Sequence, residues 1–203
     1  MTEVLLKAIL HQLHTYLVSV VPTTLQSPGD QVKLGNIAAS KFAGGTDEAL
    51  SKKIVATLVN IEEESTLRNK PGGKFENGQF LTMPPAVYLN LHLLFSANFD
   101  QYETAIHYLF RVVEFFQGNK VFKFKNSPIS GPDALTIRQL ENFELTAELH
   151  SLSYEQVNDL WGSLGGKQMP FVLYRFRLVP VQMKKITGRE GIITETELSM
   201  MPE

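Results

Sequence analysis

The chain has 203 residues, 43% of them apolar, with no cysteine and a formal net charge of −2. That is enough apolar material for one sizeable core, and too little positive charge to hold nucleic acid by its phosphates. The lack of cysteine excludes disulfides, thiolate metal sites and cysteine nucleophiles together, and suits a reducing cytoplasm.

Residues 2–20 read as an amphipathic helix. Thr2 stands at the cap, Leu5, Ile9, Leu13, Tyr16 and Val20 recur at helical spacing, and Pro22 stops it. Glu3 leads the segment, and Lys7, His11, Gln12 and His14 interrupt it. It therefore matches neither a secretion signal nor a membrane span, and synthesis in the cytoplasm is expected. A loop-rich stretch over 22–51 follows, punctuated by Ser27-Pro28-Gly29-Asp30 and Gly44-Gly45, with a short strand at Val32 to Leu34.

Lys53 to Glu63 alternates as a strand, with Ile54, Ala56 and Leu58 on one face and Val55, Thr57, Val59 and Ile61 on the other. Residues 65–83 read as a polar loop, and Pro84-Pro85 closes it. From Ala86 to Ser96 runs a second long strand, with Val87, Leu89, Leu91, Leu93 and Phe95 opposite Tyr88, Asn90 and His92. A helix over about 100–117 comes next. Asp100 is its expected N-cap, Gly118 its expected stop, and Tyr102, Ile106, Leu109, Val113 and Phe116 its core stripe.

Val121 to Phe124 is a short strand, and residues 127–132 form a proline-glycine loop. Phe143 to Leu149 alternates again, with Phe143, Leu145, Ala147 and Leu149 inward. Ser153 and Gln156 make a capping box for a helix that ends near Gly162. Phe171 to Val181 is the last strand, with Tyr174, Phe176 and Leu178 opposite Arg175 and Arg177. The expected architecture is α+β: a mixed, largely antiparallel sheet with helices mainly on one face. Residues 1–182 form the domain, and 183–203 are expected to be a mobile tail.

No residue set meets the needs of a familiar chemistry. Gly162-Ser163-Leu164-Gly165-Gly166-Lys167-Gln168 has Trp161 where a phosphate loop needs glycine, and Gln168 where it needs a magnesium-binding hydroxyl. It reads as a helix-to-strand turn. His11 and His14 share a helix face, while His92, His107 and His150 are scattered, so no metal or cofactor is expected. Ser151 beside His150 projects the other way along a strand. One small-ligand or enzymatic alternative stays open, with Glu148, His150 and Tyr154 at a strand-to-helix junction.

Other features suit contact better than catalysis. Glu62, Glu63 and Glu64 mark a strand end whose charge discourages wrong strand pairing. Arg175 and Arg177 share a face, either solvated or set as two forks for carboxylates. Trp161, the single tryptophan, is either a core residue or an interface anchor.

Several segments resemble one family together. These are Asn60-Ile61-Glu62-Glu63-Glu64 with Leu67-Arg68-Asn69, and Pro84-Pro85-Ala86-Val87-Tyr88-Leu89-Asn90-Leu91-His92-Leu93-Leu94-Phe95. Leu149-His150-Ser151-Leu152-Ser153, Leu160-Trp161 and Tyr174-Arg175-Phe176-Arg177 complete the set. Over roughly residues 4–182 the chain resembles the tail-terminator, or cap, proteins of contractile injection systems such as the antifeeding prophage. The resemblance implies a hexameric ring, without catalytic residues or cofactor, that closes the distal end of tube and sheath. Its implied partners are copies of itself and the inner-tube and sheath proteins. Residues expected at those contacts are Glu62, Glu63, Glu64, Arg68, Asn69, Trp161, Arg175 and Arg177. The long stretches 22–51 and 65–83 are expected to order on assembly.

Overall fold

Alternation along the strands sorts apolar side chains onto two faces of a sheet, and the helices cover them. A computed structural model of the chain describes residues 2–64, 73–76, 79–82, 84, 87–123, 144–181 and 188–191. The main sheet contains β1 (Val32–Leu34), β2 (Lys53–Glu63), β5 (Val87–Asn98), β6 (Val121–Lys123), β7 (Glu144–Leu149) and β8 (Phe171–Val181). Their order is β1-β2-β5-β8-β7-β6, with β1 parallel to β2 and every other pair antiparallel. With helices α1 (Thr2–Val20), α2 (Tyr102–Gly118) and α3 (Tyr154–Ser163), this is an α+β fold.

The long helices α1 and α2 lie together on one face. Leu5, Ile9, Leu13 and Leu17 of α1 join Ile54 and Ala56 of β2, Leu91, Leu93 and Phe95 of β5, and Tyr174 and Phe176 of β8 in one buried cluster. Phe116 of α2 is its aromatic hub, with ring centroids 4.4 Å from Tyr174 and 5.2 Å from Phe95. The shorter α3 packs on the opposite face, where Trp161 meets Val55, Leu94 and Leu173. Because β5 is central and covered on both sides, it is buried from Asn90 to Asn98. Each large side chain removed from water here contributes about 1.5–3 kcal/mol.

The face that α2 buries differs from the expected stripe. Ala105, Tyr108, Val112, Phe115 and Phe116 are buried, while Tyr102 is 70% exposed. The cause is α1 alongside. Tyr16 packs on Phe115 at 5.5 Å, and the Tyr108 hydroxyl donates to Gln31 Oε1 at 2.6 Å, which turns α2 toward its neighbour. Gln101, not Asp100, occupies the N-cap, and Asp100 Oδ2 pairs instead with Lys52 Nζ at 3.3 Å. His14 is likewise engaged, its Nδ1 accepting from the Gln31 amide at 3.1 Å.

Residues 22–51 are built onto the sheet. Besides β1 they hold three single 3₁₀ turns, capped by Asn36, Ser40 and Asp47, that bury Ile37 and Leu50. The polar stretch 65–83 also differs from a plain loop: it contains β3 (Gly73–Glu76) and β4 (Gln79–Thr82). Beyond 182, where a tail was expected, β9 (Gly188–Gly191) pairs with β4 to complete a second, three-stranded sheet. Four-residue strands carry too few alternating apolar positions to announce themselves.

Past Ala56, β2 breaks its alternation at a bulge between Leu58 and Asn60, leaving Leu58 and Ile61 40% and 53% exposed. Leu149, expected inward, ends its strand 56% exposed. After α3 the glycine-rich turn closes as a helix terminator: Gly165 and Gly166 have φ of 102° and 77°, and the Gly166 amide donates to Trp161 O at 2.7 Å. Among the described residues no helix is long and apolar enough to cross a membrane.

Candidate functional site

Helix α3 covers only part of its face of the sheet. Where it stops, the outward residues of four strands form a charged row. Register alone assembles it: Asn60 of β2 aligns with His92 of β5, His92 with Arg175 of β8, and Arg175 with Glu148 of β7. One residue pair further along the ladders, Glu62 aligns with Asn90 and Arg177 with Thr146. Tyr174 and Phe176 face the helical core, so Arg175 and Arg177 must face outward.

The guanidinium groups share carboxylates within the chain. Arg175 Nη2 lies 2.8 Å from Glu148 Oε2, and Arg177 Nη1 3.2 Å from Glu148 Oε1. Arg177 Nη2 also reaches Glu64 Oε2 at 3.3 Å, and that oxygen accepts from Asn90 Nδ2 at 3.1 Å. The hydrogen bond from Arg175, then that from Arg177, holds the Glu148 carboxyl below the usual carboxylate range against the opposing cost of burial. The hydrogen bonds that Arg177 donates to Glu148 and then to Glu64 raise its own pKa correspondingly.

The histidines stand next to these pairs. His92, only 6% exposed, has Nε2 3.3 Å from Glu62 Oε2 without the alignment of a hydrogen bond. Its ring meets that of His150 edge-on at 5.2 Å. Among the described residues Asn90 Oδ1, His92 Nε2 and Arg175 Nε are buried without a hydrogen-bond partner. Glu148 and Glu64 are matched by arginine, whereas Glu62 lies against His92 and accepts from Asn60 Nδ2 at 3.0 Å.

Of the residues singled out in the sequence, Glu62, Glu64, Arg175 and Arg177 come together here, while Glu63 pairs in register with Leu89, one ladder position past Asn90. Trp161 does not join them. It is 3% exposed, with its ring 5.5 Å from Phe171, which is the packing alternative and removes it from the surface of the isolated chain. Arg68, Asn69, Phe143, the loop 127–132 and the Leu178 side chain lie outside the described residues. Of the alternative trio, Glu148 is held by two arginines, His150 meets the His92 ring at 5.2 Å, and Tyr154 is 96% exposed at the start of α3. Asn90 and His92 were legible as an outward face of β5, but nothing in their spacing marked them as neighbours of Glu64 or Arg175.

Over residues 5–195 the chain matches the model of the Pvc16 N-terminal domain family. It belongs to that family. Two solved structures share the fold of this Pvc16 N-terminal domain protein. One is the sheath/tube terminator, in its extended state, of PVC, an extracellular contractile injection system. It has a TM-score of 0.62 and 14% identity, over 100% of this chain and 64% of the other. The second is the tube-terminating cap of the anti-feeding prophage, with a TM-score of 0.52 and 14% identity, over 74% of this chain and 50% of the other. At such identity the likeness is one of fold, and the chain spans under two thirds of the length of each. No curated protein matches the chain in sequence.

Proposed function

We propose that this chain is a structural cap, a tail terminator of a contractile injection particle, and not an enzyme. It assembles as a hexameric ring at the distal end, ends the polymerisation of inner tube and sheath, and anchors the last sheath ring. Made in the cytoplasm, it is incorporated as the particle is finished. The observation that carries this reading is the match of the whole chain to the fold of a sheath/tube terminator, together with membership of the Pvc16 N-terminal domain family. The charged row supports it, because it offers a patterned surface with no reacting group to position. In this reading Glu62, Glu63, Glu64, Arg68, Asn69, Arg175 and Arg177 meet neighbouring subunits, tube or sheath.

Deletion of the gene from a particle-producing cell, followed by electron microscopy of the particles, tests the proposal. Loss of capped ends and a broad spread of tube and sheath lengths are expected, restored by the intact chain. Particles of normal length with normal ends would refute it.

A further inference from the structure

Among the described residues the main sheet has two lateral ends; the exposed stretch of β2 at one carries Glu62, and β6 at the other carries Lys123. At one end β1 stops at Leu34, where the Gly35 amide makes a last bond to Ala56 O at 3.0 Å. Beyond that point the outer side of β2 has no strand among the described residues. Leu58 and Ile61 are exposed along it, as is Glu62, half of whose side chain is in solvent (50%). The bulge and Asn60, whose Oδ1 accepts from the Ile61 amide at 2.9 Å, blunt this edge against indiscriminate pairing. At the other end β6 is outermost among the described residues, with Val121 46% exposed beside the exposed Lys120 and Lys123. Lys123 Nζ pairs with Glu144 Oε1 at 2.9 Å, but both side chains are mostly in solvent, so the pair is easily exchanged.

Register places these groups on one face. Asn60 and Glu62 lie on the side of His92, Arg175 and Glu148, and Thr146, next but one to Glu148 on β7, pairs with Val121. A strand added to either end therefore finds Glu62 and Lys123 in the same layer.

We propose that the outer edge of β6 in one copy pairs with the outer edge of β2 in the next, continuing the sheet from subunit to subunit with Lys123 facing Glu62. Like edges exclude each other: β2 against β2 opposes glutamates, and β6 against β6 opposes lysines. Unlike edges gain backbone hydrogen bonds and a charge match together. Such a contact is heterologous, the kind that closes into a ring. The inference rests on the terminator reading and names the surface by which its ring closes.

The cysteine-free chain allows a direct test in the intact protein. Asn60→Cys combined with Val121→Cys places thiols on β2 and β6. The order β2-β5-β8-β7-β6 separates these strands by about four spacings, roughly 19 Å, far beyond the ~7 Å reach of a disulfide. Any bridge between these two positions therefore joins two copies. Oxidation is expected to yield a ladder of oligomers ending in one closed species, whereas each single variant stops at dimers. Glu62→Lys and Lys123→Glu should each weaken association about tenfold, and the double reversal should restore it. Rings that form without this crosslink and tolerate both single reversals would overturn the edge pairing while leaving the terminator reading intact. A chain that stays monomeric and uncrosslinked even in the presence of tube and sheath would remove both.

Discussion

Arg175 and Glu148 face each other across adjacent strands, with Nη2 and Oε2 2.8 Å apart, and Arg177 takes the other carboxylate oxygen at 3.2 Å. The geometry is set by backbone register, so the side chains need little searching to meet. It makes Glu148 the pivot of the charged row.

Glu148→Gln should cost about 1 kcal/mol at neutral pH, because Glu148 is 36% exposed and its pairs are partly screened. The two arginines depress the Glu148 carboxyl in the folded chain. Its contribution is therefore complete above the unfolded value of about 4.3 and is lost as pH falls through the lower folded value. Denaturant titrations of parent and variant at several pH values should show the gap closing in acid. A gap independent of pH would show that the charge contributes nothing.

Gly45 sits where a Cβ would stand 2.1 Å from Ala39 O, inside a turn held by the Gly45 amide on Ser40 O at 2.8 Å. A backbone atom has nowhere to retreat. Gly45→Ala should therefore destabilise by about 2–3 kcal/mol or more. Gly118→Ala, at the end of α2 with nothing within 4 Å, should be neutral or slightly stabilising. Thermal unfolding of both variants checks the contrast, and equal midpoints would contradict it.

Trp161 is the single tryptophan and is almost wholly buried. Its emission in the isolated chain should be blue-shifted, poorly quenched by acrylamide, and shifted to the red on unfolding. Trp161→Ala should cost about 3–5 kcal/mol, and Trp161→Phe clearly less. If the alanine variant is as stable as the parent yet fails to assemble, Trp161 is a contact residue and not core.

Much of the fold is legible in the residues. Period-two alternation over Lys53 to Glu63 and Phe171 to Val181 carries β2 and β8 to within their observed bounds, and the Ser153–Gln156 capping box starts α3. The capping box is a local interaction between residues three apart, and strand alternation is equally local, which is why both survive without tertiary information. Which face of α2 is buried was not legible, because Tyr108 answers to Gln31, a residue 77 positions away.

The chain's own pattern of side chains determined an α+β domain with aromatic residues and arginines on opposite faces of its last long strand. Only tertiary structure decided that those arginines meet Glu148 and Glu64, 27 to 113 residues distant, and that Glu62 and Lys123 come to opposite sides of the main sheet. Local periodicity dictates where a side chain points. The order in which strands pair dictates what it finds there, and that order is set by burial of the whole core at once.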